Sequence, residues 1–462
     1  MDIHERHARY YLNLAGKETT GWAGIETNLD QIRRAWDWVC KQPNTQLILD
    51  YIESLRVFQN NRGLWQEQIT WGKEILKQIT EASNPRMQSS ILQNIAWCYY
   101  ALGELQTAVE YLKQARALLE AYAPTNEYAS ILSALGSVLR ETGDIDGAFG
   151  NLHQALEIRK NSGDQLGEAI TLGNLALLHN QLGNTNDAIR LLNSALEIQA
   201  TWNDQPFLAT TLNNLGAIFE TIGEYDKAAE MYQNALEIHT STGDLRMLAI
   251  TLNNQGKLLV RQGKLDDAQS CYEQALTTNR ELGNPIAEAT TLSNLGHLFS
   301  MSGDVVQAQR YYQAGYNLFR SVHYTEGEAY LLNNLGEIHN RNKNHDEAIQ
   351  TLKQGLDLAR NLKIKALESN LLNNLGKAEN AKGDVKNAES YYMEALTLSR
   401  EISDSYGEMV TLLNLSGVFS KLGKLQSARE CCEQALPIAQ KLKNASLEKL
   451  AVELLSILKP AE

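Results

Sequence analysis

Eight asparagines recur at multiples of 40 residues, Asn94, Asn174, Asn214, Asn254, Asn294, Asn334, Asn374 and Asn414, and only Ala134 breaks the row. One carboxamide both donates and accepts a hydrogen bond, as a peptide group does. Helices pack about 8 to 10 Å apart and an extended chain advances about 3.3 Å per residue. Amides on successive helices could therefore hold about every third peptide unit of a bound strand. Such a row would grip backbone without reading side chains. The competing role is structural, since a helical asparagine can bond neighbouring backbone or simply face water. A second asparagine precedes four members of the row: Asn213, Asn253, Asn333 and Asn373.

Charge follows the same spacing. Three, six and seven residues after the asparagine position stand Arg140, Lys257, Arg261, Arg341, Lys377 and Lys421, against acidic Glu141, Glu220 and Glu337, and His297 adds a titratable member. These sites carry a local positive excess on a chain whose formal charge is -13. Either the charges are scattered and solvated, or they draw in an acidic peptide. Motifs for covalent or metal chemistry are missing. The sequence holds no Gly-x-x-x-x-Gly-Lys-Ser/Thr phosphate loop, no His-Glu-x-x-His and no Gly-x-Ser-x-Gly. No enzymatic activity, metal or cofactor is expected.

The elements that would position these residues are repeats. Nine 40-residue units run without insertion or deletion, and two before-and-after markers fix their register. A small residue follows the asparagine row by two: Ala96, Gly136, Ala176, Gly216, Gly256, Gly296, Gly336, Gly376 and Ser416. Alanine holds a second site every time, from Ala108 through Ala228 to Ala428. Apolar residues Leu212, Leu215, Ile218 and Phe219 recur at helical spacing and predict a helix A ending near Thr221. Gly223 then supplies a turn with positive φ. A helix B is predicted from about Tyr225 to His239, with Ala228, Ala229, Tyr232, Ala235, Leu236 and Ile238 inward. Lys343 replaces the turn glycine in one unit, where flanking Asn342 or Asn344 is expected to turn left-handed and distort the chain locally.

This pattern resembles the tetratricopeptide repeat, in a long form similar to kinesin light chains and Pins-type adaptors. The resemblance implies an all-α fold, a right-handed superhelical solenoid of antiparallel helix pairs. It also implies that helix A lines a concave groove into which Asn174, Asn214, Asn254, Asn294, Asn334, Asn374 and Asn414 look, with Lys257, Arg261, His297, Arg341, Lys377 and Lys421 beside them. Trp97, Tyr100 and Leu177 would line the groove at its other end, unless they pack beneath the N-terminal segment, the favoured reading. Such a groove would bind an extended peptide or protein segment.

Expected boundaries are an N-terminal helical segment at 1–46, a degenerate repeat at 47–86, the nine units at 87–446 and a capping helix at 447–462. The cap would carry Leu447, Leu450, Ala451, Leu454, Leu455 and Leu458 and stop at Lys459-Pro460. Six of the seven tryptophans, Trp22, Trp36, Trp38, Trp65, Trp71 and Trp97, lie at the N-terminal end. Segments Arg6-His7-Ala8-Arg9-Tyr10-Tyr11-Leu12, Asn28 to Trp36 and Arg62-Gly63-Leu64-Trp65 resemble the helical region after the ATPase part of bacterial STAND regulators. That resemblance implies the alternative function, a ligand-sensing arm that serves an ATPase or effector module.

Net negative charge argues against nucleic acid as a partner. No apolar run is long enough to cross a membrane and the start is polar, so a cytoplasmic chain without membrane contact is expected. The five cysteines form no Cys-x-x-Cys pair and read as small buried hydrophobes.

Overall fold

The computed structural model describes residues 3–17, 23–42, 45–79, 84–202, 205–442 and 444–458. Among them are twenty-four α-helices, one short 3-10 turn and no strand. Helix pairs follow the 40-residue period. In one unit helix A is Gln205–Thr221 and helix B is Tyr225–Thr242, and in the next they are Leu245–Arg261 and Leu265–Leu282. The chain gathers into two compact bodies, Met1–Ala287 and Glu288–Glu462.

Short-range chemistry sets the helix ends. Gly223 turns at φ 80, and the Glu224 N–H returns to the Phe219 carbonyl at 2.9 Å, closing helix A. Helix B ends at Gly243, φ 70, and Asp244 then caps the next helix A by accepting from the Met247 N–H at 3.0 Å. Lys343 departs from expectation. It takes the left-handed conformation itself, φ 63, while Asn342 and Asn344 stay at φ -78 and -86. The flanking helices, Thr325–Arg341 and His345–Leu362, keep the lengths of their counterparts, so the turn absorbs the substitution without distortion.

The repeated alanine is the pivot of each pair. All nine, Ala108 to Ala428, are fully buried, because two helix backbones meet there and a larger side chain would part them. The small-residue row performs the same task from helix A. A Cβ added at Gly376 would stand 2.6 Å from Tyr392 Cε1, and Gly216, Gly256 and Gly296 meet Tyr232, Tyr272 and Tyr312 in the same way. Where the row carries a side chain, the residue sixteen later is smaller than tyrosine: Leu112 after Ala96, Leu192 after Ala176 and Cys432 after Ser416. Volume is thus balanced in seven of the nine pairs, while Gly136 and Gly336 face Leu152 and Leu352.

At the N-terminal end Trp36 and Trp71 stack at 4.2 Å between ring centroids, both buried. The last helix, Ala445–Ile457, buries Ala451 and half-buries Leu447, Leu454 and Leu455, whereas Leu450 is exposed. Lys459-Pro460 and Trp22 lie outside the described residues.

Candidate functional site

Successive A helices are joined by carboxamides. Asn254 Nδ2 donates to Asn213 Oδ1 at 3.1 Å, Asn374 to Asn333 at 2.9 Å, and Asn414 to Asn373 at 2.8 Å. Every bond spans 41 residues, one period plus one, so each row member bonds the asparagine that precedes the row in the unit before. In the 288–462 body the B helices are bridged by much longer side chains. There Arg360 reaches Glu394, and Arg400 Nη2 reaches Gln434 Oε1 at 2.8 Å. Two asparagines suffice to join neighbouring A helices there, alongside longer links such as Arg341 to the Ser300 carbonyl.

These bonds divide the row. Asn374, buried, is engaged at both ends: it donates to Asn333, and its Oδ1 accepts from Lys377 Nζ at 3.4 Å. Asn334 and Asn414 are half-buried; Asn334 accepts from Asn333 at 3.5 Å, and Asn414 keeps its carbonyl unbonded. Asn294 is half-buried too. In the 1–287 body Asn94, Asn174 and Asn214 are half-buried and make no hydrogen bond to any described residue, while Asn254 has only its link to Asn213. Of the two roles open to the row, bonding to neighbouring units is therefore built for some members and not for others.

The charges pair with similar order. Each acid meets an arginine: Glu141 with Arg140, Glu220 with Arg261 at 2.8 Å, and Glu337 with Arg341 at 2.7 Å. Glu220 also accepts from Tyr232 Oη at 3.1 Å, and burial beside that carboxylate pushes the phenol far above its usual range. Arg341 further donates to the Ser300 carbonyl at 3.1 Å. Lys421 Nζ reaches Asn380 Oδ1 at 2.6 Å, and Lys257 is exposed with no ion pair among the described residues. The positive excess thus rests on three exposed lysines, Lys257, Lys377 and Lys421. His297 is exposed as well, yet desolvation by the surrounding protein lowers its pKa, with Glu337 raising it and Arg341 lowering it further.

Trp97 does not pack under the N-terminal segment. It is 52% exposed, stacks on Tyr100 at 5.5 Å, and faces a cleft shared with Arg56, Trp65, Gln68 and Asn94. Two residues from much later in the chain, Arg246 and Asn284, complete that cleft. They are brought there because the 1–287 body returns on itself. Arg62 Nη1 donates to the Glu281 carbonyl at 3.5 Å, and Ile286 packs on the N-terminal core. None of these cleft residues except Asn94 and Trp97 stands out from the repeat pattern as a site; the clustering of tryptophans is the signal that marks this end.

Also on a helix A, His179 packs edge-on against Phe149 at 5.2 Å. His239 is fully buried, with neither ring nitrogen hydrogen-bonded, and desolvation holds its pKa below the ordinary 6.5. Cys40, Cys98, Cys431 and Cys432 are buried and Cys271 is half-buried; burial pushes the Cys98 thiol up to about 12, far from reactive. Among the described residues no three His, Cys, Asp or Glu side chains gather as metal ligands, and no helix is long and apolar enough to cross a membrane.

Comparison with known proteins agrees with this architecture. A tetratricopeptide repeat model matches residues 127–201, 207–281, 287–361 and 367–441, and a second matches 89–115. No curated protein matches the sequence. Among solved structures, a Rap protein complexed with Competence and Sporulation Factor is 16% identical, covering 78% of this chain and 99% of its own, with a TM-score of 0.53. The apo quorum sensor NprR from B. thuringiensis is 15% identical, covering 73% and 97%, with a TM-score of 0.54. A STAND protein with a tetratricopeptide repeat sensor, from Pyrococcus horikoshii, is 12% identical, covering 97% and 74%, with a TM-score of 0.54. At such identities the likeness concerns the fold. The family models cover well over half of the chain, and the protein belongs to the tetratricopeptide repeat family.

Proposed function

We propose that this protein is an interaction scaffold that binds an extended peptide segment along its A helices, with the grip concentrated in the 1–287 body. The observation that carries this reading is the set of half-buried amides Asn94, Asn174 and Asn214, which have no hydrogen-bond partner among the described residues. None of their amide atoms is both buried and unpartnered, so they remain open to solvent, where a peptide group can take the place of water. Asn254 adds a carbonyl on an amide already oriented by Asn213, and an oriented group loses less entropy on binding. An acidic segment is favoured because each body carries exposed lysine with no ion pair among the described residues, Lys257 in one and Lys377 and Lys421 in the other. Of two proteins of similar fold, one is complexed with Competence and Sporulation Factor and the other is a quorum sensor.

A binder selected from an immobilised peptide library tests this directly. N-methylation at single peptide bonds should weaken binding at about every third position, while exchange of most side chains changes it little. Uniform sensitivity to side chains and none to N-methylation would refute the backbone grip.

The second reading, a sensing arm for an ATPase or effector module, is favoured by one observation. Likeness to the STAND protein extends over 97% of this chain and so takes in its N-terminal helices. A phosphate loop encoded upstream in the parent gene would support it.

A further inference from the structure

The last helix, Ala445–Ile457, repeats the start of a unit. It begins forty residues after helix A Ser405–Lys421. Asn444 caps it by accepting from the Leu447 N–H at 3.1 Å, as Asp404 caps the earlier helix by accepting from the Gly407 N–H at 2.9 Å. One face is seated as in that helix: Ala451 is fully buried, like Thr411, in a core that includes Ala435 and Ala439 of the preceding helix B.

A second face is not seated. Val452, Leu455 and Ser456 share one side of the helix and stand forty residues after Leu412, Leu415 and Ser416. Those three are buried under helix B Leu425–Lys441, where Cys432 Sγ donates to Ser416 Oγ at 3.0 Å, and their counterparts in the three units before are buried too. On the last helix Val452 is 51% exposed, against 1% for Leu412, Ser456 is exposed and Leu455 is half-buried. The residue types are those that receive a helix, two apolar and one small. Charge stands beside them, with Lys449 and Glu453 ion-paired at 3.9 Å.

We propose that this face docks an amphipathic helix of helix-B chemistry supplied by a partner protein, which extends the stack by half a unit. The docking surface continues an interface that every unit already makes, so what covers the same face elsewhere defines the occupant. Each cover presents a small residue, a central one four later and a second small one three beyond, as in Ala388, Tyr392 and Ala395 or Ala428, Cys432 and Ala435. The small residues let the backbones approach, and the central one fills the space that helix A leaves. Tyrosine stands over glycine, as Tyr392 over Gly376, whereas Ser416 takes Cys432. Ser456 therefore selects cysteine or leucine at the centre and excludes tyrosine by overpacking.

The probe is this chain's own helix B, a labelled peptide of Leu425–Lys441. Gln426→Lys, bridged by a lactam to Glu430, holds it helical, and fluorescence anisotropy reads its binding to the full chain under reducing conditions. Saturable binding is expected. Cys432→Tyr in the peptide, and Val452→Lys with Ser456→Arg in the protein, should each weaken it about tenfold or more. The protein variant should melt as the wild type does, because both side chains are exposed. Absence of saturable binding, or undiminished binding of the Cys432→Tyr peptide, overturns the proposal. So does full binding by the double variant, which would mean that the peptide displaces the chain's own helix instead. Sedimentation of the free protein tests the rival occupant: self-association abolished by Val452→Lys with Ser456→Arg would assign the face to a second copy and overturn the partner helix. A monomer that binds the peptide upholds it.

Discussion

Asn254 donates its side-chain N–H to the Asn213 carbonyl at 3.1 Å, across two successive units. The same link recurs from Asn374 to Asn333 and from Asn414 to Asn373. Removing the acceptor should separate cohesion between units from ligand grip. Asn213→Ala is expected to cost about 1 kcal/mol in denaturant unfolding and to weaken peptide binding modestly, since the Asn254 amide loses its orientation. An unchanged unfolding curve would show that the bond contributes nothing to stacking.

Gly376 is small because Tyr392 lies against it. Gly376→Ala should destabilise by about 1 to 3 kcal/mol through overpacking. Tyr392→Leu added to it should recover much of the loss, reproducing the pairing of Ala176 with Leu192 elsewhere in the chain. Thermal melts of both variants decide this, and a double variant less stable than the single one would count against volume balance.

His239 makes stability depend on pH. Its folded pKa is depressed from 6.5, by desolvation first, with Arg246 lowering it and Asp244 raising it. Below about pH 6.5 the unfolded chain takes up a proton that the buried ring resists, so stability is full above that pH and falls as pH drops through it. The slope is at most about 1.4 kcal/mol per pH unit for one proton. His239→Asn, the residue at the equivalent site Asn279, should flatten this part of the profile. Persistence of the slope in that variant would place its origin elsewhere.

An acidic ligand should bind more weakly as salt rises. Replacing Lys257, Lys377 and Lys421 together by alanine is expected to flatten that dependence with little change in melting temperature, because all three are exposed. Titrations at two ionic strengths check it; a wild-type affinity indifferent to salt argues for a neutral ligand.

Much of this architecture is legible in the sequence because a strict period exposes what every unit must satisfy. Ala228 and its eight counterparts mark the helix crossing, and Gly223 and Gly243 mark the turns. Relationships between units are harder to read. Both asparagine columns are visible, but that Asn254 bonds Asn213 rather than Asn214 depends on the stagger of adjacent helices, which the period does not encode. Helix B runs on to Thr242 instead of ending at His239, so a residue expected at a helix end is a buried member of its inner face. The cleft is least legible of all: Arg56 and Arg246 line one cleft where Arg62 reaches the Glu281 carbonyl and Ile286 packs on the N-terminal core, contacts between segments with no local pattern in common. Lys343 shows the reverse case, a turn whose backbone hydrogen bonds, such as Asn344 N–H to the His339 carbonyl at 2.9 Å, hold without glycine.

The decisive measurement compares two pairs of row members in one titration against a peptide selected from the library, with circular dichroism melts alongside. Asn174→Ala with Asn214→Ala removes amides that bond no described residue; it should leave helicity and melting temperature intact and weaken binding about tenfold or more. Asn374→Ala with Asn414→Ala removes amides tied to neighbouring units; it should lower the melting temperature and change affinity less. If the first pair melts early and binds normally, the row is a structural seam throughout and the peptide groove lies elsewhere.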